Sequence, residues 1–493
     1  MCLIIRFKII LWAALILILT GCSHYTANPA LDDIDPSSGY RYSVVRPMPN
    51  PDKPFVILAF SGGGTRAAAF SFGLLKELKT IEYTTPQGEK RQLLDDVEII
   101  SSVSGGSFAS AYYTLFPDQF FNDFPSRVLY RNIEKDLIGL LFYPQNWFRL
   151  ASKDFSRIDL AEEYYNEKIF QGKTFGDLLS QSKGRSPFLV LNATDISITH
   201  RFEFTQDQFD LLCSDLSKVS VAKGVAASSN FPVAFAPLTL NNYHQKSCGP
   251  LPGWIDPALS LENNPNRRYF DALAAISYKD KEREFCHLLD GGLSDNLGLR
   301  GPFDAVTTTD SAWSVLKQAN LEKLKNLMII AVNSKTTKHH DWDQKSKPPG
   351  INEVLGVITG GPMDDVSLDS VDMTDNHFRY MKQLSDTVDA CNTVLHQKCP
   401  EATPVKNPIG TNFSFSELSF ERVKDTCVRR YLQELPTSLS LDAEAVELLI
   451  VTAAQLLNQS EDFIKGMQTL DPNWKPRTVA IPEHLVSNIC EKL

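Results

Sequence analysis

The apolar positions of this chain fall into short, continuous runs. Five of them have the length of strands: FVILAF (55–60), VEII (97–100), FLVLNA (188–193), FCHLLD (285–290) and LMIIAVN (327–333). Segments that look helical separate these runs, which is the pattern of a mainly parallel sheet covered by helices on both faces. The hydrophobic pattern therefore predicts an α/β fold.

Two other stretches follow different patterns. Apolar and more polar residues alternate over 196–204, which predicts a half-exposed strand. Beyond residue 340 the strand pattern fades, and segments such as AEAVELLIVTAAQLL (443–457) look helical. We therefore predict an α/β domain over 53–340 and a helical C-terminal region over 341–493.

The N-terminus has the features of an export signal. Arg6 and Lys8 precede an apolar run from Ile9 to Leu19, which is too short for a comfortable membrane span. The sequence LTGC, ending at Cys22, resembles the bacterial lipobox and implies cleavage before Cys22 and lipidation of that residue. The alternative is a signal anchor in which Cys22 is incidental. We expect a signal peptide over 1–21, a polar, proline-rich tether over 22–52, and attachment to the outer membrane facing the periplasm.

Net charge and cysteine content bear on the class of partner and on disulfide formation. The 493 residues carry a net charge of −10, which argues against a nucleic-acid partner. Export into an oxidising compartment leaves seven cysteines, enough for three disulfides and one free thiol. We predict a local Cys391–Cys399 pair and a free Cys286, because Cys286 lies in an apolar strand where a thiol packs as a small hydrophobe.

A first glycine-rich motif follows the first strand. In FVILAFSGGGTRAAAFSFGLLKEL (55–78), Gly62, Gly63 and Gly64 allow the backbone to approach a ligand, and the following helix directs free N–H groups towards negative charge. Gly62, Gly64 and Ala67 also satisfy the dinucleotide pattern G-x-G-x-x-G/A, which is weak evidence alone. A tight turn without a ligand is the remaining interpretation.

A second motif follows the second strand, in VEIISSVSGGSFASAYY (97–113). A nucleophile elbow needs small residues two positions before and after its serine, since strand and helix pass closely there. Ser104 meets this requirement, with Ser102 in place of the first glycine of G-x-S-x-G. The motif equally fits a serine that caps a helix within a glycine turn.

A third motif, DGGLSDN (290–296), ends an apolar strand. Asp290 would face the edge of the sheet at which open α/β proteins bind ligands. The alternative is a turn aspartate that caps its own backbone, which is common for Asp-Gly.

Together these motifs resemble the patatin-like phospholipase family. The resemblance rests on GGGTR (62–66), SVSGG (102–106) and DGG (290–292), in this order and each after a strand. ATDI (193–196) and AASSNFPVAFAP (226–237) are further similarities. The resemblance as a whole covers roughly residues 53–335.

The resemblance implies a three-layer α/β/α fold and hydrolysis of lipid acyl esters by a serine–aspartate dyad. Carried over, Ser104 is the nucleophile and Asp290 its base. The resemblance implies an oxyanion hole formed by Gly62, Gly63, Gly64 and Arg66. Ser102 departs from the family's glycine, and its hydroxyl is expected to tighten the elbow. The expected partner is membrane lipid, and neither a cofactor nor a metal is expected.

Other functions remain open at this stage. One is a catalytically inactive envelope binding or assembly factor on the same scaffold, since a fold does not fix a function. Another is a nucleotide-binding oxidoreductase. A Ser-Asp-His triad would draw on His339, His340, His377 or His396, none of which lies in a glycine-bounded motif at a strand end. The aromatic stretch LLFYPQNWF (140–148) predicts an acyl groove, an interfacial segment or a packed helix end.

Overall fold

The computed structural model describes residues 27–46, 53–181, 186–232, 235–263, 265–307, 324–337, 344, 346, 349–407 and 411–491, with backbone only at 181, 351–356, 358, 359 and 362. The predictions for residues 1–26, including Cys22, lie outside this range. Among the described residues, no helix combines the length and the apolar character needed to cross a bilayer.

One mixed, mostly parallel sheet forms the centre of the protein. Its strands are β1 (Phe55–Phe60), β4 (Val97–Val103), β5 (Phe188–Asp195), β6 (His200–Glu203), β7 (Leu238–Asn241), β8 (Phe285–Asp290), β9 (Asn326–Asn333) and β10 (Asn412–Ser419), while β2 (Glu82–Thr84) and β3 (Lys90–Gln92) form a separate hairpin. The order across the main sheet is β10-β9-β1-β4-β5-β8-β7, and β6 pairs with β5. The pairs from β10 to β5 are parallel, whereas β6, β7 and β8 pair in the antiparallel sense.

Helices surround the sheet. They are α1 (Tyr42–Val45), α2 (Gly64–Leu78), α3 (Gly105–Leu115), α4 (Pro117–Phe124), α5 (Ile133–Leu140), α6 (Pro144–Leu150), α7 (Arg157–Lys168), α8 (Phe175–Gln181), α9 (Gln206–Leu211), α10 (Val221–Ser228), α11 (Ile255–Leu259), α12 (Arg267–Ser277), α13 (Gly292–Asp295), α14 (Arg300–Thr307), α15 (Ile351–Lys398), α16 (Thr426–Glu434), α17 (Ala443–Gln459), α18 (Glu461–Leu470) and α19 (Glu483–Cys490). All residues of β1 and β5 are buried, so helices cover both faces of the sheet, as the continuous apolar runs predict.

The five predicted strands are all present, but the alternating stretch is shorter than expected. Only His200–Glu203 forms a strand, and residues 196–199 form a turn in which the Ser197 N–H donates to the Asp195 carboxylate at 3.1 Å. Thr199 has a positive φ of 49°, which extended backbone does not allow. The turn therefore interrupts an apolar alternation that sequence alone reads as one strand.

The C-terminal region contributes a strand that the hydrophobic pattern does not reveal. Strand β10, with the sequence NFSFSELS, pairs with β9 in parallel over its whole length. It lies at the edge of the sheet and contains three serines and a glutamate, so it lacks a continuous apolar run. The predicted domain boundary at residue 340 thus falls between two neighbouring strands of one sheet.

Helix α17 also joins the C-terminal region to the core, as a layer over α2. A Cβ atom at Gly73 would lie 2.6 Å from the backbone oxygen of Ile450, so only glycine permits this close crossing of the two helices. The buried Glu77 carboxylate accepts hydrogen bonds from Asn458 and Arg477. The predicted helix over 443–457 is confirmed, and it packs on the catalytic part of the chain.

The segment 27–46 is packed against the body, which differs from the tether expected over 22–52. Asn28 is buried, and its side-chain amide donates to Ser214 at 2.9 Å and to the backbone oxygen of Asn241 at 3.0 Å. The Tyr40 side chain is fully buried and its hydroxyl accepts a hydrogen bond from the Leu189 N–H. Composition alone missed these contacts because the segment is polar and rich in proline.

The cysteine prediction is correct for Cys286 and wrong for the local pair. The disulfides are Cys213–Cys248 and Cys427–Cys490, while Cys286 is free and buried. Cys391 and Cys399 are free and exposed at the end of α15. Eight residues of helix separate them by about 12 Å along the axis, which exceeds the Cα–Cα distance that a disulfide spans.

Candidate active site

Ser104 occupies a sharp turn between β4 and α3. Its backbone has φ 49° and ψ −120°, a strained conformation for a residue with a side chain. A Cβ atom at Gly105 would lie 2.0 Å from the backbone oxygen of Gly64, and one at Gly106 would lie 2.7 Å from that of Ser61. The small residues after Ser104 are thus required by the close approach of the two glycine-rich loops.

A buried network of serine hydroxyls supports this turn. The Ser102 hydroxyl lies 2.6 Å from that of Ser110 and accepts a hydrogen bond from Ser107 at 3.3 Å. Ser107 in turn lies 2.9 Å from the hydroxyl of Ser228. The serine that replaces the family's glycine at position 102 therefore ties β4 to α3, as the sequence predicts.

Ser228 connects the turn at Ser104 to the loop at Asp290. Its hydroxyl oxygen accepts a hydrogen bond from the Ser104 N–H at 2.9 Å, and its backbone oxygen accepts one from the Gly291 N–H at 3.2 Å. The neighbouring Asn230 backbone oxygen accepts from the Asp290 N–H at 2.9 Å. Both residues lie in the AASSNFPVAFAP segment, but no sequence pattern indicates these roles for Ser228 and Asn230.

The strand that carries Asp290 runs antiparallel to its neighbour in the sheet. Strand β8 runs antiparallel to β5, with Asp290 opposite Ala193, whereas Val103 at the end of β4 is opposite Asn192. The two strand ends therefore meet at adjacent positions of β5. Asp290 therefore ends an antiparallel strand of the mainly parallel sheet and lies beside Ser104.

Asp290 lies in an environment that makes its carboxyl harder to ionise than usual. Burial raises the pKa of the Asp290 carboxyl to about 6, against the lowering effect of hydrogen bonds from the Gly292 N–H and the Ser104 hydroxyl. The Gly292 N–H donates to the carboxylate at 2.8 Å, which fixes one of its oxygens. Asp290 is thus a weakly basic carboxylate in contact with a hydroxyl group.

Three backbone N–H groups of the two glycine-rich loops have no protein acceptor among the described residues. In the described part of the chain, the N–H groups of Gly63, Gly64 and Gly105 donate to no protein acceptor, and the latter two begin α2 and α3. By contrast, the Gly62 N–H donates to the backbone oxygen of Asn296 at 3.0 Å. The assignment of Gly63 and Gly64 to an oxyanion hole stays a prediction, whereas the Gly62 N–H is already engaged and does not fit that role.

Arg66 is directed away from the role of an oxyanion donor. Its buried guanidinium donates to the backbone oxygens of Ser334 and Leu435, each at 2.8 Å, and to the Thr437 hydroxyl at 3.2 Å. Burial lowers the pKa of Arg66 to about 10, which leaves it cationic at neutral pH. Arg66 therefore holds the glycine loop in place, and the sequence interpretation of it as part of the oxyanion hole is corrected.

Two distant segments cover the site. The Ser438 backbone oxygen accepts from the Thr65 N–H at 2.9 Å and would lie 2.2 Å from a Cβ atom at Gly64. The sulfur of Met363, in α15, would lie 3.2 Å from a Cβ atom at Gly292. Because of this cover, only 9% of Ser104 is exposed.

Two of the described histidines make contacts away from Ser104 and Asp290. His287 lies 3.1 Å from the Thr239 hydroxyl, and the His377 ring packs against Phe303. Among the described residues, no histidine hydrogen-bonds to Ser104 or Asp290. His339 and His340 lie outside the described residues.

Comparison with known proteins gives a match to one family and similarities to solved structures. The human GIVD cytosolic phospholipase A2 in complex with methyl gamma-linolenyl fluorophosphonate aligns with 91% of this chain and 62% of its own, at 10% identity and a TM-score of 0.37. A second structure of the human GIVD enzyme aligns with 59% of this chain and 47% of its own, at 12% identity and a TM-score of 0.34. VipD from Legionella pneumophila aligns with 86% and 78%, at 10% identity and a TM-score of 0.25.

This chain thus spans less than two thirds of the length of both human phospholipase chains. No curated protein sequence matches it. The patatin-like phospholipase family model matches residues 58–303, which include all three glycine-rich motifs. The chain belongs to the patatin-like phospholipase family.

Proposed function

We propose that this protein is a lipid acyl hydrolase that cleaves ester bonds with Ser104 as nucleophile and Asp290 as its base. The observation that carries the proposal is the contact between the Ser104 hydroxyl and a buried carboxyl whose pKa is raised to about 6. A carboxylate with this pKa is ionised at neutral pH and still basic enough to accept a proton during attack.

In the acylation step, Asp290 accepts the hydroxyl proton while the Ser104 oxygen attacks the ester carbonyl carbon. The resulting oxyanion is stabilised by backbone N–H groups of Gly63, Gly64 and Gly105, whose positions are fixed before the substrate binds. Collapse of the intermediate breaks the ester bond, and the proton on Asp290 passes to the leaving alcohol. The acyl chain remains bound to Ser104.

Deacylation repeats these steps with water. Asp290 takes a proton from a water molecule while the water oxygen attacks the carbonyl carbon of the acyl-enzyme. The same N–H groups stabilise the second oxyanion. Return of the proton to the Ser104 oxygen releases a fatty acid. No histidine is needed, because the carboxylate contacts the serine directly.

Turnover of a short-chain ester and release of fatty acid from mixed phospholipids test the proposal. Ser104→Ala and Asp290→Asn should each reduce both rates by several orders of magnitude, with unchanged circular dichroism. Ser126→Ala, at an exposed serine that bonds only within its own turn, should retain full activity. Full activity of Ser104→Ala would refute the proposal, and an inactive wild type would favour the binding or assembly factor.

We also propose that Cys22 carries a lipid anchor that holds the protein at the outer membrane, facing the periplasm. The support is LTGC directly after an apolar run with a basic start. Cys22→Ala should abolish incorporation of labelled fatty acid and block cleavage of residues 1–21. Sucrose-gradient fractionation of the wild type should place it with outer-membrane markers. Normal acylation of the variant would refute the anchor, and inner-membrane fractions would refute the location.

A further inference from the structure

A protruding aromatic corner joins α5 to α6. Four large side chains at this corner are more exposed than buried: Phe142 (74%), Tyr143 (54%), Trp147 (57%) and Phe148 (56%). They fall within seven consecutive residues, and Ile138 (49%) precedes them in α5. Aromatic side chains are seldom exposed in such density unless they contact another phase or molecule.

Several polar groups of the corner are paired within the corner itself. The Trp147 indole N–H donates to the backbone oxygen of Leu141 at 2.6 Å, and the buried Asn146 amide donates to that of Leu140 at 2.8 Å. The backbone N–H groups of Phe142 and Tyr143 donate to preceding carbonyls at 3.1 and 3.3 Å. Transfer of the corner from water to an apolar medium would therefore strip few hydrogen bonds.

Charge is absent from the corner and balanced beside it. No residue from Leu137 to Phe148 is charged. The charged residues directly beside the corner are Asp136, which pairs with Arg131, and Arg149, which pairs with Glu163. Lys135 and Lys153 each have a carboxylate next to them in sequence, Glu134 and Asp154 respectively. The corner therefore offers apolar attraction to a partner and almost no net electrostatic attraction.

We infer that this aromatic corner, residues 137–148, is a docking surface that inserts into the interfacial region of a lipid bilayer. The inference rests on the proposed function, because a lipid hydrolase must take its substrate from such a surface. Tryptophan and tyrosine are the residues that prefer the membrane interface. The high exposure of Phe142 means that it projects from the body, a shape that suits penetration of a bilayer better than contact with a flat protein surface. Since the charges are balanced, neutral phosphatidylcholine suffices as the partner.

The test is cosedimentation with phosphatidylcholine vesicles of residues 23–493, which retain every described residue but lack the apolar run at 9–19. The variant Phe142→Ser/Phe148→Ser should bind vesicles at least tenfold more weakly and release fatty acid from them correspondingly more slowly. Its turnover of a soluble short-chain ester should equal that of the wild type. Binding of the wild type should change little between 0.05 and 0.5 M salt, because insertion is apolar.

The matched control is Phe270→Ser, at a phenylalanine that is 54% exposed in α12. Unchanged vesicle binding of the double variant, or equal loss in the control, would overturn the inference. A wild-type dimer that the double variant converts to monomer would overturn it in favour of a second copy as the occupant. Failure of the proposed function would appear separately, as absent turnover of the soluble ester by a wild type that still binds vesicles.

Discussion

The backbone N–H of Ser104 donates a hydrogen bond to the hydroxyl oxygen of Ser228, 124 residues further along the chain, at 2.9 Å. Ser228→Ala would leave this buried N–H without an acceptor, at a cost of about 1–3 kcal/mol. Because Ser104 is already strained, we expect kcat for a short-chain ester to fall about tenfold or more, with little change in KM.

Ser229→Ala is the matched control for this prediction, since the Ser229 hydroxyl donates to the Val225 backbone oxygen within its own helix. The control should retain most of the activity. Equal kinetics for Ser228→Ala and the wild type would show that the turn does not depend on this hydrogen bond.

The pKa of Asp290, raised to about 6 by burial, predicts the pH dependence of catalysis. The carboxylate form is the base, so kcat/KM should be constant above about pH 7 and fall tenfold per pH unit well below pH 6. The measurement is a pH profile with a short-chain ester between pH 4.5 and 8. A profile governed by a group with pKa near 4 would contradict the buried environment described for Asp290.

The same pKa predicts a stability cost. The unfolded chain releases the Asp290 proton near its usual pKa of 3.8, whereas the folded protein retains it up to about pH 6. Stability attributable to this group therefore falls as the pH rises from about 4 to 6, by about 3 kcal/mol in total. Asp290→Asn should raise the urea midpoint at pH 8, and the gain should vanish near pH 4. An equal gain at both pH values would point to a cause other than ionisation.

Arg66 should be needed for both stability and rate. Arg66→Met removes hydrogen bonds to the 334 and 435–437 segments, so we expect a loss of about 2–4 kcal/mol in the free energy of unfolding. The rate should fall as well, because the glycine loop loses its support. Arg430→Met, at an exposed arginine paired only with Glu434, should change neither by more than about 0.5 kcal/mol. Urea titrations and ester turnover give both quantities.

Thiol labelling should separate three classes of cysteine. In the folded protein, Cys391 and Cys399 should react with a maleimide, and Cys286 should react only after unfolding. Peptide mapping without reductant should find Cys213–Cys248 and Cys427–Cys490. A Cys391–Cys399 peptide would contradict the helical separation of these residues.

The sequence predicts those parts of the fold that depend on continuous apolar runs. All five central strands and the helix over 443–457 are recovered, because burial on both faces leaves an unbroken hydrophobic signal. Strand β10 escapes detection since its polar residues are tolerated at the edge of the sheet. The packing of segment 27–46 escapes it for a different reason, because side-chain hydrogen bonds to remote residues leave no periodic pattern.

At the site, the sequence indicates which residues meet but not how they meet. Ser104 follows a strand, Asp290 ends one, and both precede glycine, so the local pattern identifies both. The antiparallel course of β8, the use of the Gly62 N–H by Asn296 and the role of Ser228 depend on chain segments far apart in sequence. Such relationships become visible only when the tertiary structure is known.

The burial of Asn28 limits how far the folded body can lie from Cys22. Only six residue steps separate Cys22 from Asn28, and they span at most about 20 Å in any conformation. If Cys22 carries an acyl chain, the peptide between this anchor and the folded body is therefore short, in contrast to the long tether that composition suggests. The folded body would then have access to lipids of the leaflet in which it is anchored, and not to lipids of a facing membrane.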